Sequence, residues 1–426
     1  MREIVQKVKG TRDFYPEDMA FRTWLYHQIR IVSERFGYQE YEGPMLEKLE
    51  LYAAKSGEEL VKEQAYVFND RGGGEIALRP ELTPTLARMV AQKQKELVYP
   101  LRWWSFGPFW RYEQPQKGRT REFFQWNIDL IGAAGYEADA ELLAICAAFF
   151  EQLGLTSEQV QINVNNRRLM DAQLEKIGID QDLKPAVYKL IDRCDKLRPD
   201  AWREYASECG VSPVQLNALT ALLENRDLWK ESEELSTIFK LIQAMGYEDY
   251  INYDPHVIRG LLYYTGTVFE ARDKAPEGRA LSGGGRYENL VADVGGDPLS
   301  GVGFAMGDVM ISVVLEKYGK YPELSTQPAR IVVTCFNGKT LPEAYGLAEE
   351  IRRSGINVIT YPEAAKLDKQ LKFTNRIGAR FALIAGPDEI SAGKVTVKDL
   401  TNRTQETIAK KDLIEFLKQS GFLIRK

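Results

Sequence analysis

Cysteine is scarce in this chain, and it carries neither long apolar runs nor an excess of basic charge. The four cysteines, Cys146, Cys194, Cys209 and Cys335, are scattered and show no CxxC spacing, so neither a structural zinc site nor a disulfide framework is expected. Apolar runs long enough to cross a bilayer are missing. Met1 to Gly10 (MREIVQKVKG) lacks the apolar region of a signal peptide, so a cytoplasmic chain with no membrane partner is expected. The net charge of -5 has the opposite sign to that of most nucleic-acid binders. Local basic patches can still supply phosphate contacts on an acidic surface. What is present, 426 residues with 44% hydrophobic and 27% charged, suffices for two or three globular domains with a large core.

The most informative stretch is Arg102 to Gly132, RWWSFGPFWRYEQPQKGRTREFFQWNIDLIG. It opens and closes on alternating apolar and aromatic residues, which predict two antiparallel strands joined by the polar, cationic loop EQPQKGRT. Arg111, Gln125 and Asp129 are placed within these strands. A guanidinium, an amide and a carboxylate buried among Phe, Trp and Ile cost several kcal/mol unless each has a partner. That partner is either internal, Arg111 pairing with Glu113 or Asp129, or a ligand. The loop itself is either a solvated hairpin tip or a phosphate-facing surface.

Ahead of this stretch, apolar spacing from Asp18 to Phe36 predicts a helix ended by Gly37, then a strand YQEYEGP up to Pro44. YVFND and EIALRP read as a hairpin turning at Arg71 to Gly74, followed by a helix from about Thr83 with Pro84 in its first turn. Glu81 and Thr83 sit where a carboxylate serves either as a helix cap or, with a hydroxyl, as an acceptor site for an ammonium. Beyond the stretch come a helix from Glu137 to Leu153 closed by Gly154, and the strand VQINV. Residues 166 to 247 are charged and helical without strand runs. Strands return at Ile251 with HVIRGLLYYTGTVFEARD and ALSGGGRYENLV, in which Tyr263 and Tyr264 would point to opposite faces. Glycines 283 to 285 read as a bulge or as a place where backbone approaches a ligand. The polar, proline-containing segment 320 to 329 marks a domain boundary. Strands alternating with helices then predict a compact α/β unit with a mostly parallel sheet.

The order F-W-R-x-E, P-Q-x-G-R-x-R-E-F and Q-x-x-x-D in this stretch resembles motif 2 of class II aminoacyl-tRNA synthetases, in the form found in the histidyl enzymes. G-T-R-D-F-Y-P near the start, L-R-P-E-x-T at Glu81, R-G-L-x-Y-Y-T-G-x-V-F-E at Arg259 and S-G-G-G-R-Y at Tyr287 are similar to further signatures of that family. The helix and strand up to Pro44 resemble motif 1, and GVGFAMGDVMISVVLE resembles motif 3. The fold this implies is an α+β catalytic domain with an antiparallel sheet, residues 1 to 325, interrupted by a helical insertion at 166 to 247. A C-terminal α/β domain, residues 328 to 426, resembles an anticodon-binding domain.

The resemblance also implies a function: activation of L-histidine by ATP and transfer to tRNA(His), with Mg²⁺, in a homodimer. Arg111 and Arg259 would act on the α-phosphate. Glu113, Arg119 and Arg121 would join them at ATP, and Gln114, Gln116 and Lys117 would face the tRNA acceptor end. Glu81, Thr83, Gln125, Asp129, Tyr263, Tyr264 and Tyr287 would hold histidine, with Asp129 and the Tyr264 phenol gripping the imidazole. The insertion, by its position alone, would contact the acceptor arm. An alternative on the same fold is a catalytically silent histidine sensor, the regulatory subunit of ATP phosphoribosyltransferase, which typically lacks the C-terminal domain present here. An unrelated α/β enzyme would need four ordered motifs to coincide by accident. Two departures stand out: Leu262 replaces an acid, and Met310 stands near the place of the motif 3 arginine, which in the family stacks on adenine and contacts the γ-phosphate. Met310 is expected to pack on the adenine without supplying charge.

Overall fold

The computed structural model describes residues 4–53, 64–116, 118–194, 196–258 and 263–422. These fall into two compact units, residues 1–322 and 323–426. Lys117 and Arg259, both assigned roles above, lie outside the described residues, as does Leu262.

Among the described residues the first unit contains eleven strands: β1 (Gln39–Glu40), β2 (Leu46–Lys48), β3 (Tyr66–Asn69), β4 (Glu75–Leu78), β5 (Leu101–Trp110), β6 (Glu122–Ile131), β7 (Val160–Asn166), β8 (Ile251–Tyr253), β9 (Tyr264–Asp273), β10 (Ala280–Tyr287) and β11 (Gly301–Gly307). Eight form one sheet in the order β1-β5-β6-β11-β10-β9-β7-β8. Its six central strands run antiparallel, and β1 and β8 add parallel at the two edges. Strands β2, β4 and β3 make a separate small antiparallel sheet. The turn between β3 and β4 is held by Asp70, whose Oδ1 accepts from Gly72 N (2.8 Å) and Gly74 N (2.9 Å). Of the strand expected at YQEYEGP, only Gln39–Glu40 pairs. Pro44, which cannot donate, lies just beyond this short edge segment.

The period-two pattern of β6 sorts its side chains onto two faces. Trp126, Ile128 and Leu130 go to one face and are fully or almost fully buried. Trp126 meets Phe149 of the Glu137–Gln152 helix and Phe304 of β11, each at 4.9 Å between ring centroids. That helix buries nearly every residue from Ala138 to Phe150, because it lies between the sheet and the Pro16–Arg35 helix, whose Gln28 accepts from Gln152 at 2.9 Å. Proline at the first turn and Asp18 accepting from Tyr15 N (3.1 Å) start the Pro16–Arg35 helix.

Arg286 of β10 also points to the helix side. It is 1% exposed and its Nε donates to Asp139 at 2.9 Å, while Nη1 and Nη2 donate to the carbonyls of Ala133 (3.1 Å) and Gly135 (2.8 Å). Every polar atom of this buried pair is therefore used, so the arginine in S-G-G-G-R-Y ties sheet to helix behind the site and takes no part in it.

Five helices, Arg167–Lys176, Lys184–Asp192, Pro199–Glu208, Pro213–Glu224 and Glu233–Met245, fill the stretch between β7 and β8. Asn166 caps the first of them by accepting from Leu169 N at 3.0 Å. Glu234 in the last accepts from Thr267 of β9 at 2.9 Å, which ties the helices to the sheet.

In the second unit the strands are β12 (Ile331–Val333), β13 (Ile359–Thr360), β14 (Phe381–Ile384), β15 (Lys394–Asp399) and β16 (Thr404–Ala409), in the order β13-β12-β14-β15-β16. The first three are parallel; β15 and β16 extend the sheet antiparallel. Ile331, Val333, Phe381, Leu383, Val395 and Val397 pack with the Leu341–Arg353 and Leu413–Gln419 helices in one core.

Candidate active site

The face of the large sheet away from the Glu137–Gln152 helix carries the polar set. Gln125, Asn127 and Asp129 alternate along β6 on this face. Opposite Asp129 on β11 is Gly303, and opposite Ile131 is Gly301. Both are glycine for a packing reason. A Cβ on Gly303 would fall 2.1 Å from Asp129 Oδ1, and one on Gly301 would fall 2.4 Å from the Tyr287 ring. Strand β11 is thus left bare so that side chains of β6 and β10 can meet across it. They do: the Tyr287 hydroxyl donates to Asp129 Oδ1 at 2.9 Å, both residues buried. Tyr264 on β9 is the register partner of Tyr287.

Tyr263 and Tyr264 do not diverge to opposite faces as expected. Their rings lie 4.8 Å apart, because β9 begins at Tyr264 and Tyr263 sits in the preceding turn, free of strand alternation. The Tyr263 phenol interacts with Thr83, Tyr264 and the charge of Glu81. Glu81 is itself buried just before the Thr83–Lys93 helix. Asp129, Tyr287, Tyr264, Tyr263, Thr83 and Glu81 therefore form one continuous cluster. Gln125 lies on the same face about 13 Å along β6 from Asp129. Burial pushes the Asp129 carboxyl up to about 7, with the Tyr287 hydrogen bond acting against that rise.

Sequence reasoning missed two members of this face. Tyr41, packed on Trp103 at 5.4 Å, has a buried hydroxyl with no hydrogen-bond partner among the described residues, and its phenol senses the Asp129 charge. Asn127 likewise has a buried Nδ2 with no partner among the described residues. Buried donors of this kind are rare unless water or a ligand meets them. The period-two placement of Asn127 between Gln125 and Asp129 was the available signal.

Arg111 lies one residue past the end of β5, where it was expected inside the strand. The backbone pairing nevertheless continues, with Arg111 N donating to Arg121 O at 2.9 Å. Its Nε donates to the Pro80 carbonyl at 2.9 Å and its guanidinium sits 5.3 Å from the Phe123 ring centre. Its terminal nitrogens make no hydrogen bond or ion pair to a described residue. Both internal partners considered for it are engaged elsewhere: Glu113 with Arg119 (3.2 Å) and Asp129 with Tyr287. Arg111 opens into a cleft of about 200 Å³ lined also by Glu113, Arg119, Phe123, Asp308 and Met310. An adjoining cleft of about 800 Å³ shares Gly118, Arg119, Ala280 and Met310 with it and adds Gln116, Glu270, Arg272 and Arg279. Arg121 does not line either cleft; its guanidinium lies 4.0 Å from the Tyr112 ring centre and donates to the Glu113 carbonyl at 3.1 Å. Gln114 and Gln116 are exposed on the loop.

The N-terminal segment braces this loop. Gly10 O accepts from Arg121 N (2.9 Å) and Glu122 N (3.2 Å), and a Cβ on Gly10, whose φ is +87°, would collide with the Arg121 side chain. Arg12 donates to Asp308 at 2.9 Å, fixing the start of the Asp308–Lys317 helix, while Asp308 also accepts from Phe124 N at 2.9 Å. This explains the chemistry of G-T-R-D-F-Y-P as support.

An antiparallel sheet with a glycine-bared polar face, flanked by a hairpin carrying a cleft-facing arginine, defines a class II aminoacyl-tRNA synthetase. A family model described as histidyl-tRNA synthetase matches residues 10–308, and one described as anticodon binding domain matches residues 330–420. The chain belongs to the histidyl-tRNA synthetase family. It is 36% identical over 427 residues to a histidine–tRNA ligase of Leptospira biflexa, covering 97% of each chain. It is 37% identical to the chloroplastic/mitochondrial histidine–tRNA ligase of Arabidopsis thaliana, covering 96% of this chain and 86% of that one. The solved histidyl-tRNA synthetase of Nostoc sp. PCC 7120 superposes with a TM-score of 0.81 at 26% identity, covering 98% of this chain and all of that one.

Proposed function

We propose that the cleft at Arg111 takes ATP, that the Asp129 cluster takes the histidine side chain, and that the two meet where Glu81, Thr83 and Gln125 receive the ammonium group. The chain is a histidine–tRNA ligase, which joins the histidine carboxylate to the α-phosphate of ATP and then esterifies tRNA. The observation that carries the site assignment is the cation of Arg111, which lines the cleft while both candidate carboxylates are paired with other groups.

Attack of one anion on another passes through a phosphorus with added negative charge, so positioned cations do most of the work. Arginine suits the task because its planar fork meets two oxygens and stays charged. We assign Arg259 the companion role on the same phosphate. Neutral imidazole offers one N–H and one lone pair. The Asp129 carboxylate accepts the first and the Tyr264 phenol donates to the second, while Tyr287, whose hydroxyl is given to Asp129, lines the pocket. Glu113, Arg119 and Arg121 are assigned to the ATP side, Arg121 by stiffening the loop through Tyr112. Gln114, Gln116 and Lys117 are assigned to the tRNA acceptor end. Magnesium would enter on the phosphate oxygens of ATP, with Glu113 and Glu270 the carboxylates at hand, since no group of three or more metal-binding side chains is assembled among the described residues.

The histidine-sensor alternative is not favoured, because the curated relatives that match over the full chain are ligases. The test is pyrophosphate exchange into ATP across the amino acids. Histidine should support exchange at least 10²-fold above any other, and histidine binding without exchange would return the sensor reading. We also infer a twofold homodimer from the motif 1 resemblance of Pro16–Arg35 and the edge strand β1. Sedimentation should give a mass near twice the 48.5 kDa of the chain, and a concentration-independent monomer would refute it. No described helix is long and apolar enough to cross a membrane. From the translation role of its bacterial relatives we infer that the enzyme works in the cytoplasm.

A further inference from the structure

Three segments converge at Gly118 in the hairpin loop. Its φ is +80°, and a Cβ there would fall 2.5 Å from Met310 Sδ and 3.4 Å from Arg279 Nη1. The loop, the first turn of the Asp308–Lys317 helix and the segment leading into β10 therefore meet at one point of the wall shared by the two clefts. That first turn offers no cation. Asp308 is committed to Arg12 and Phe124 N, and Val309 and Met310 are uncharged. From the strand side a positive charge reaches this point of the wall on Arg279, one residue before β10 and exposed beside Met310.

We propose that Arg279 binds the polyphosphate of ATP, supplying from the strand side the charge that the Met310 position lacks. The inference rests on the reading of the clefts as the ATP site. A triphosphate needs several fixed cations. Arg111 and Arg119 line the smaller cleft, and Arg119, Arg272 and Arg279 line the larger one. Arg279 stands beside Gly118 and Met310, which line both clefts, and we place the phosphate chain that leaves Arg111 against it. Its planar fork provides paired donors to phosphate oxygens. Met310 leaves room for it: a long cation at residue 310 would compete for the same space beside Gly118 and repel the first.

The experiment is pyrophosphate exchange with the full chain. Arg279→Met should raise KM for ATP about 10-fold, with KM for histidine within twofold and the melting temperature unchanged, because the side chain is exposed. Adding Met310→Arg to Arg279→Met should recover most of the ATP affinity, since the charge returns to the same point from the helix. An unchanged KM for ATP in Arg279→Met, in an assay where the native chain exchanges normally, overturns the proposal. An equal rise in both KM values with a lower melting temperature also overturns it, making Arg279 structural. Absence of exchange in the native chain would instead remove the underlying ATP-site reading.

Discussion

Arg111→Ala should lower histidyl-adenylate formation by about 10³-fold, or about 4 kcal/mol of transition-state stabilisation, while leaving the melting temperature nearly unchanged. The two halves of that expectation have separate physical grounds. The rate falls because the guanidinium acts on charge that develops only as the phosphorus becomes pentavalent, so its removal appears in kcat and kcat/KM alike. Stability holds because Arg111 makes one hydrogen bond to a backbone carbonyl and a cation–π contact with Phe123, and has no ion pair with a described carboxylate. Lysine at this position should recover little, since a point charge cannot match two oxygens in one plane. Single-turnover formation of adenylate, followed beside thermal unfolding, checks it. A loss of stability comparable to the loss in rate would make Arg111 a brace for the Pro80 turn.

Much of this site was legible because strand alternation is a local property. Trp126, Ile128 and Leu130 against Gln125, Asn127 and Asp129 can be read along one strand, and the structure places them as that pattern requires. What alternation cannot supply is sheet order. Tyr41 stands in a segment that pairs over only two residues, and nothing local says that its ring reaches Trp103 and the Asp129 neighbourhood. The need for glycine at 301 and 303 is hidden for the same reason. It arises from side chains on strands more than ten residues away in sequence meeting over a third. Tyr263 was misplaced because strand periodicity was extended one residue too far toward the N-terminus. Strand β16 went unread because TQETIA is exposed along most of its length and offers no apolar alternation. The role of Arg12 was hidden too, since its partner Asp308 is 296 residues away.

The largest expected effect belongs to Asp129. Asp129→Leu leaves an imidazole N–H with no acceptor inside a dry site, and sites built to hydrogen-bond a substrate lose about 10⁴-fold in kcat/KM when that pairing fails. The titration of the native carboxyl sharpens the test. Burial raises it to about 7, so the ionised form that accepts a proton-bearing nitrogen prevails only above that pH. Free imidazole must also be neutral, with an ordinary value of about 6.5. Two protons must therefore be absent, and log kcat/KM for histidine should fall with a slope approaching two below about pH 6. In Asp129→Asn one of those protons no longer matters, and the slope should drop to one. Stability moves the other way. A carboxyl raised above its unfolded value binds its proton more tightly in the folded state, so its contribution is present below about pH 4 and is lost as pH rises through about 7. At pH 8 the unliganded native protein bears a cost on the order of 4 kcal/mol that Asp129→Asn relieves. The asparagine variant should thus melt higher than the native chain at pH 8, with the gap closing toward pH 4, while kcat/KM for histidine falls because a neutral amide oxygen is a weaker acceptor than the carboxylate. A variant that melts lower at pH 8 and keeps the two-proton slope would show that Asp129 holds the sheet together through Tyr287 and leaves imidazole recognition to another group.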